Sequence, residues 1–307
     1  VIDRKYIARA PLIAGTSNPV EGMRGFGGVA RNVAENLAAL GAGVSFVSAV
    51  GADESGRDLA RHLSTRGIDV ANLFQLPEER TAEYAAILEP GGDLAYGIAD
   101  MAIFDRMTPE LLANAAPSLA AARLVFVDCN LPAATLAALI EQRRAGRFEL
   151  AIDAVSTPKV KKLPDDLSGV DLLFLNLDEA SAYLESSFSR NINGMEKAAK
   201  ALIEAGASAV ILTSGALGAV VANGGGASHV PVVAARPVDM TGAGDAMIAG
   251  TLHHYLHSGA LHEAVRRGAL IASLTTESAA SVHPQMSPHF VEANLHRLAP
   301  IEGEARV

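Results

Sequence analysis

The sequence predicts an α/β fold, a three-layer α/β/α sandwich around a mostly parallel central sheet, with a small β-rich lid. Short apolar runs rich in Val, Leu and Phe lack polar alternation, which is typical of strands buried on both faces. Segments with helical spacing of apolar residues separate these runs, the order that produces parallel strands joined by crossover helices. Half of the 307 residues are hydrophobic and 19% are charged, so the chain can bury a large core.

Each element is predicted from its own pattern. Short apolar runs predict strands at 44–50, 124–128, 150–153, 172–176, 209–213 and 219–221. Apolar residues at helical spacing predict helices at 30–40, 56–66, 132–145, 178–186, 195–205, 245–257, 261–278 and 288–298. Val230-Pro-Val-Val-Ala is predicted as a further short strand, and Val1-Ile-Asp-Arg-Lys as the end of a strand whose beginning lies outside the sequence.

Two stretches depart from this alternation and predict the lid. Residues 8–26 carry Gly and Pro without helical periodicity. Residues 80–98 contain two apolar runs around Glu89-Pro-Gly-Gly-Asp, the pattern of a β-hairpin. We expect both stretches to project from a single domain over 1–307, and a homodimer would form through this lid.

Composition and charge exclude several classes of partner. A net charge of -9, no basic tract and no Trp argue against nucleic acid. No apolar run reaches 18 residues, which argues against a membrane span. A single cysteine, Cys129, excludes an internal disulfide and fits the reducing cytoplasm. The expected partner is therefore a small molecule.

The segment Val238-Asp-Met-Thr-Gly-Ala-Gly-Asp245 lies immediately before a predicted helix. Gly242, Ala243 and Gly244 leave backbone N–H groups uncovered at the positive end of that helix, an arrangement that suits an anion. Asp245 follows directly. The alternative is an ordinary helix start, with glycine turn residues and an acidic residue in the first turn.

The segment Gly25-Phe-Gly-Gly-Val-Ala imitates the dinucleotide-binding fingerprint and begins a helix near residue 30. That fingerprint requires a buried strand directly before it, and residues 16–24 make a poor strand, which disfavours nicotinamide binding. The glycine pair and Asn32, one helical turn along, remain as candidates for binding the hydroxyls of a polar ligand. The alternative is a helix start with a solvent-facing Asn.

Two further motifs follow predicted buried strands, at the carboxyl ends where α/β sheets bind ligands. Asn176-Leu-Asp-Glu179 places an amide and a carboxylate on one face of a helix start, and helix capping explains it equally well. Thr213-Ser-Gly-Ala-Leu-Gly218 is open enough to approach a phosphate or ribose, or is merely a turn.

Taken in this order, the motifs resemble those of the ribokinase-like (PfkB) carbohydrate kinase family. Gly27-Gly-Val-Ala-Arg-Asn-Val-Ala resembles its amino-terminal signature, and Asn176-x-x-Glu179 resembles its N-x-x-E motif. Asp239-Met-Thr-Gly-Ala-Gly-Asp245 resembles its carboxy-terminal signature, with Met240 in place of the usual Thr. Finer detail, such as Thr81-Ala-Glu-Tyr and Asp153-Ala-Val-Ser-Thr-Pro-Lys, is similar to the pseudouridine kinase branch.

The resemblance implies an ATP-dependent kinase for the 5′-hydroxyl of pseudouridine, with another nucleoside, ribose or a hexose as the alternative acceptor. It implies that Asp245 is the general base and that Gly242, Ala243 and Gly244 bind the transferring phosphate. The implied substrate-binding residues are Asp3, Ser17, Asn18, Gly27, Gly28, Asn32, Thr81 and Lys159. The implied ATP-binding residues are Asn176, Thr213, Gly215 and Gly218. Glu179 would hold Mg²⁺ through water, and Asp239 would bind a monovalent cation such as K⁺. Rival classes are a dinucleotide-dependent oxidoreductase and a catalytically silent sugar-binding protein.

Overall fold

The computed structural model of the protein describes residues 1–299. Its strands within that range are β1 Ile2–Ala8, β2 Val20–Phe26, β3 Ser48–Gly51, β4 Leu73–Leu76, β5 Glu83–Leu88, β6 Leu94–Asp100, β7 Leu124–Asp128, β8 Glu149–Asp153, β9 Leu172–Asn176, β10 Ala209–Thr213, β11 Ala219–Asn223 and β12 Gly226–Val230. Its α-helices are α1 Val29–Ala39, α2 Glu54–Thr65, α3 Pro109–Leu112, α4 Ala116–Ala121, α5 Ala133–Arg144, α6 Thr157–Val160, α7 Leu177–Tyr183, α8 Ile192–Glu204, α9 Ala243–Ser258, α10 Leu261–Thr276 and α11 Pro288–Ala293.

The central sheet has the strand order β12-β11-β10-β9-β8-β7. Strands β7 to β10 run parallel, whereas β11 and β12 are antiparallel additions at one edge. The prediction of a mostly parallel sheet is therefore confirmed. The short parallel pair β3–β4 forms a separate sheet beside it.

Helices cover both faces of this sheet, which gives the three predicted layers. Along β9, Leu173 and Leu175 pack into a core with α5 and α8, while Leu172 and Phe174 pack into a core with α1, α9 and α10. Because neighbouring strand residues point to opposite faces, a strand buried on both sides must be apolar at every position. This explains the continuous apolar runs in the sequence.

The segments predicted as a lid contribute to a second sheet of four strands, of order β2-β1-β5-β6, which is called the lid sheet below. The β5–β6 hairpin confirms the prediction for 80–98. Two details of the prediction are wrong: β1 belongs to the lid, and Val20–Phe26 forms a strand although 16–24 was interpreted as a poor one. Strand β2 pairs with β1 over seven positions, so its backbone bonds are satisfied even though most of its side chains are exposed.

Smaller corrections concern element ends. The strand predicted at 44–50 is reduced to Ser48–Gly51. The strand predicted from Val230 onward is absent, because β12 ends at Val230 and Pro231 has no N–H to donate to a ladder. The last predicted helix, 288–298, ends at Ala293 and is followed by a 3-10 turn. Within residues 1–299, no helix is long and apolar enough to cross a membrane.

Candidate active site

Four neighbouring parallel strands end in polar residues at the same edge of the central sheet. Asp128 on β7 is paired in register with Asp153 on β8, and Asn176 on β9 with Thr213 on β10. The helix N-termini that follow parallel strands lie at this edge as well. The arrangement places carboxylates, an amide and a hydroxyl where α/β sheets bind their ligands.

The predicted glycine turn lies at the N-terminus of α9, where Gly242 is the N-cap residue with a φ of 80°. No side chain caps this helix. A Cβ at Gly242 would lie 2.3 Å from the carbonyl oxygen of Ser281, whereas a Cβ at Gly244 would meet no atom within 4 Å. Glycine is thus required at 242 for the backbone conformation and close packing, and at 244 it leaves open the space in front of the helix.

Asp245 lies in the first turn of α9, and its Oδ2 accepts a hydrogen bond of 2.6 Å from Asn32 Nδ2. Burial raises the pKa of Asp245 to about 6, and the Asn32 hydrogen bond opposes that rise. A carboxylate with this pKa is ionised at neutral pH yet basic enough to accept a proton, which suits a general base.

Asn32 is buried on α1 and donates a hydrogen bond directly to Asp245. The sequence analysis did not predict this contact. Its Oδ1 accepts a 3.3 Å hydrogen bond from the hydroxyl of Ser281. The amide therefore connects Asp245 to the segment that packs against Gly242. The alternative of a solvent-facing Asn is wrong.

Asp3 and the glycine pair meet where the lid joins the main body. A Cβ at Gly27 would lie 1.9 Å from Asp3 Oδ2, so only glycine lets the carboxylate occupy its position. Gly28 has a φ of 96° and is the N-cap residue of α1. Burial raises the pKa of Asp3. The structure thus brings Asp3, Gly27 and Gly28 together beside Asn32, as predicted for hydroxyl-binding residues.

A cavity of about 90 Å³ opens beside these residues. Its polar lining includes the backbone of Gly27 and Gly28 and the side chains of Arg31, Ser48, Asp128 and Asn130, and its apolar walls include Phe46, Leu59, Phe104, Phe126 and Leu131. A cavity that combines polar groups with apolar walls suits a ligand that combines hydroxyls with a flat ring.

Asp128 is a candidate site residue that the sequence analysis missed. It is 8% exposed, and its carboxylate accepts hydrogen bonds from the backbone N–H groups of Ala30 at 3.1 Å and Asn130 at 2.9 Å. The sequence did contain a pattern that points to Asp128, because an aspartate ends the predicted strand 124–128, at the edge of the sheet where α/β proteins bind ligands.

Lys159 reaches the same cavity through Asn130, to whose Oδ1 it donates a 2.5 Å hydrogen bond. Burial lowers the pKa of Lys159, which is half-buried in α6 rather than a free surface lysine. The preceding Val155 has a φ of 66°, a strained conformation for a β-branched residue. The N–H of Val155 donates to Asp153 Oδ2 at 3.1 Å, so this strained turn directly follows the carboxylate that ends β8.

Three predicted substrate-binding residues are not brought to the cavity as expected. Asn18 bonds Ile13 and Thr16 within its own loop, and Ser17 is exposed in that loop, at the far end of β1 from Asp3. The hydroxyl of Thr81 donates a 2.6 Å hydrogen bond to Asp53 Oδ1. The same hydroxyl oxygen of Thr81 accepts a hydrogen bond from the N–H of Gly51. The polar groups of Asn18 and Thr81 thus stabilise a loop and a helix cap.

Negative charge accumulates at the ends of β7 to β9. Burial raises the pKa of Asp153 well above its usual range, and the charges of Glu179, Asp245 and Asp128 add to this rise. Burial also raises the pKa of Glu179, which is 5% exposed. The sequence analysis named Asp153 only as the start of a motif and not as a site residue. A bound cation would relieve this repulsion, so the residues present fit a divalent metal ion near Glu179.

Asn176 and Glu179 form a reciprocal cap at the start of α7. Asn176 Oδ1 accepts from the N–H groups of Asp178 and Glu179, and Glu179 Oε2 accepts from the N–H of Asn176 at 2.8 Å. The capping interpretation is therefore confirmed, and it leaves the second carboxylate oxygen of Glu179 for other contacts. Among residues 1–299, no three His, Cys, Asp or Glu side chains form a metal site by themselves.

The remaining nucleotide and cation candidates lie around the same edge. The hydroxyl of Thr213 is 3.5 Å from the carbonyl oxygen of Leu175. A Cβ at Gly215 would meet open space, whereas one at Gly218 would lie 2.3 Å from the carbonyl oxygen of Val230, so Gly218 is needed for packing. Asp239 is 3.3 Å from the ammonium of Lys5 on lid strand β1, which already supplies it with a positive charge.

The chain matches the family model described as pfkB family carbohydrate kinase over residues 7–287. Pseudouridine kinase of Escherichia coli (strain K12) is 30% identical over 265 residues, which cover 85% of this chain and 83% of that protein. The structure of a carbohydrate kinase from Agrobacterium tumefaciens is 33% identical, with a TM-score of 0.84 over 97% of this chain and 94% of that one. A ribokinase from Cryptococcus neoformans var. grubii serotype A in complex with ADP is 19% identical, with a TM-score of 0.78 and 96% of each chain covered. These structures confirm the ribokinase-like fold.

Proposed function

This chain belongs to the pfkB family of carbohydrate kinases, and we propose that it transfers the γ-phosphoryl group of ATP to the 5′-hydroxyl of pseudouridine. The enzyme is a phosphotransferase that acts on a hydroxyl group of a small sugar or nucleoside. The observation that carries the proposal is the position of Asp245, held by Asn32 at the uncapped N-terminus of α9. The products would be pseudouridine 5′-phosphate and ADP.

Each group of site residues has its own proposed role in phosphoryl transfer, a reaction that requires mainly the positioning of the two substrates and the stabilisation of phosphate charge. Asp245 would take the proton of the attacking hydroxyl. The backbone N–H of Gly244 would donate to the transferring phosphoryl oxygens at the positive end of α9, whereas the N–H of Ala243, also predicted to bind the phosphate, donates to the carbonyl oxygen of Met240 at 3.3 Å. Asp3, Asp128 and Asn32 would orient the sugar through its hydroxyls. The lid sheet would exclude water, which limits ATP hydrolysis.

We place the nucleotide and its Mg²⁺ at the ends of β9 and β10, beside Asn176, Glu179, Thr213 and Gly215. When bound, Mg²⁺ would neutralise the phosphate charge during transfer. Glu179 would hold it through water, since its Oε2 is already used in the helix cap. The ribokinase neighbour bound to ADP supports a nucleotide cofactor. Lys5 already pairs with Asp239 at 3.3 Å, so a K⁺ ion at that carboxylate would replace its ammonium group.

Glu179→Gln is expected to raise the Mg²⁺ concentration for half-maximal rate about tenfold or more, the scale for residues that hold a metal through its ligands. A glutamine oxygen can still accept from the N–H of Asn176, so the helix cap survives and only the charge is lost. The measurement is initial rate against Mg²⁺ at fixed ATP. Asp178→Asn, an exposed neighbour paired with Arg190, is the matched control. Equal Mg²⁺ dependence in both variants would leave Glu179 as a helix cap only.

The acceptor is proposed from the cavity and from the 30% identity to pseudouridine kinase. Uridine and pseudouridine differ at one edge of the base, where pseudouridine presents an N1–H donor in place of the C5–H of uridine. Asn130 lines the cavity, and its Oδ1, to which Lys159 donates a 2.5 Å hydrogen bond, is the acceptor that could read such an N–H. A site built to pair with a donor rejects the analogue that lacks it, because a buried acceptor is then left unpaired.

Pseudouridine is therefore expected to exceed uridine, adenosine, ribose and fructose in kcat/KM, with a margin of ~10²-fold or more over uridine. The measurement is ATP consumption with each acceptor at the same ATP and Mg²⁺. A better rate with adenosine or a free sugar would overturn the pseudouridine assignment and leave the kinase. No phosphorylation of any acceptor would favour a silent binding protein.

The homodimer through the lid and the cytoplasmic location stay proposals. Tyr96 and Ile98 of β6 are 61% and 56% exposed on one lid face, together with the partners Ile87 and Ala85 of β5. Asp3 and Lys5 on the alternate positions of β1 contact the main body instead. A second copy packed on the outer face would cover these apolar side chains, and sedimentation in solution measures that state.

A further inference from the structure

Arg31 is a buried charged side chain to which the roles above assign nothing. It is 5% exposed on α1, and its nitrogens are all engaged by protein acceptors. The guanidinium donates to the carbonyl oxygens of Phe26 and, at 3.4 Å, of Gly27. It also lies 3.4 Å from the hydroxyl of Ser281 and 2.6 Å from a carboxylate oxygen of Glu35. One side chain therefore connects segments that are 250 residues apart in sequence.

Both segments that Arg31 holds form walls of the active site. Gly27 is the residue against which the Asp3 carboxylate packs. The carbonyl oxygen of Ser281 lies 2.3 Å from where a Cβ of Gly242 would be. The Ser281 hydroxyl donates to Asn32, which holds Asp245. The guanidinium thus spans from the sugar side of the site to the phosphoryl side.

Glu35 and residues of α2 hold the guanidinium of Arg31 in place through further contacts. Glu35 is 4% exposed, and its carboxylate also faces His62 Nε2 at 2.9 Å and Arg66 Nε at 3.4 Å. Although burial opposes it, hydrogen bonds from His62 and Arg31 lower the pKa of Glu35. The His62 ring stacks on Phe26 with centroids 4.4 Å apart, so α2 supports the same end of β2.

We propose that the buried Arg31–Glu35 pair is a positioning element that sets the distance between the acceptor-binding segment at Gly27 and the base Asp245. Arg31 acts through Gly27, Ser281 and Asn32, with its planar fork engaging several acceptors in fixed directions. The inference rests on the proposed roles of Asp3 and Asp245. If the pair served stability alone, apolar side chains of similar size could replace it with little change in stability or in activity. The free energy spent on removing two charges from water nearly equals the free energy gained from their attraction.

The test compares Arg31→Met/Glu35→Met with wild type, using whichever acceptor wild type phosphorylates best. That choice keeps the result independent of the pseudouridine assignment. We expect a melting temperature close to that of wild type, a fall in kcat of ~10-fold or more, and a raised KM for the acceptor with an unchanged KM for ATP. Displacing reacting groups by about 1 Å costs up to ~10²-fold in rate.

Arg31→Lys provides the second measurement and keeps the buried charge opposite Glu35. It should show the same acceptor-specific rise in KM, because an ammonium cannot bridge the Phe26, Gly27 and Ser281 oxygens at once. Arg61→Met, an exposed arginine on α2 paired with Asp58, should leave both constants unchanged. Wild-type kcat and acceptor KM in folded Arg31→Lys, or in the folded double variant, would overturn the positioning role.

Discussion

Asp245→Asn is expected to fold like wild type and to lose at least ~10²-fold in kcat, the scale of an absent general base. Asparagine has nearly the same shape, and its carbonyl oxygen can still accept the hydrogen bond that Asn32 donates at 2.6 Å. What it lacks is the ability to take the proton of the attacking hydroxyl. The measurement is kcat at saturating ATP, Mg²⁺ and acceptor, with Asp58→Asn on α2 as the matched control. Near-normal turnover would remove Asp245 from the role of base.

The pKa of Asp245 adds an independent signature to the same comparison. With a pKa of about 6, the carboxylate is ionised above neutrality, so kcat/KM should be flat there and fall tenfold per pH unit below about 6. The Asn variant should lose that acidic limb.

The stability of the folded chain should not fall in Asp245→Asn, although its activity does. In the folded chain Asp245 holds its proton up to a higher pH than in the unfolded chain, so its ionisation costs stability as the pH rises through that interval. At neutral pH the Asn variant should therefore melt no lower than wild type. A marked loss of stability would mean that the carboxylate makes contacts that the amide cannot replace.

The sequence predicted the central layers well because their physics is local and repetitive. Strand 172–176 was predicted at its observed limits, since every residue of it is apolar and buried until Asn176 ends it. Strands β2 and β12 escaped prediction because they are edge strands whose sequences, VEGMRGF and GASHV, contain no apolar run. Their existence depends on pairing with a neighbour rather than on a burial pattern.

The candidate site was predictable where a motif carries its own geometry. The glycine turn, Asp245 and the cap at Asn176 are each formed within a few residues. Ser281 and Arg31 were not predictable as site neighbours, because their contacts join an irregular segment to α1 across the chain. Asn18 and Thr81 show the opposite error: a polar side chain in a suggestive motif can be fully used by its own loop or by a helix cap.

Gly244→Val is expected to lower kcat by about 10²–10³ while leaving acceptor binding nearly intact. The added side chain would begin in open space, with no atom within 4 Å of its Cβ, so the variant should fold. Because a helical Cβ is tilted toward the helix N-terminus, the valine side chain would extend toward the N–H groups of α9, where the transferring phosphoryl group would be bound. Excluding the phosphate from these donors should cost about 10²–10³ in kcat, the scale for loss of one such donor.

Calorimetry of acceptor binding separates this effect from general damage to the site. The acceptor contacts proposed for Asp3, Asp128 and Asn32 do not involve position 244, so the dissociation constant should stay within about threefold of wild type, less than 1 kcal/mol. Gly242→Val is the informative comparison, because its Cβ would lie 2.3 Å from the Ser281 oxygen at a φ of 80°. It should lower the melting temperature, whereas Gly244→Val should not. Unimpaired phosphoryl transfer in Gly244→Val would mean that the phosphate is bound elsewhere than at the start of α9.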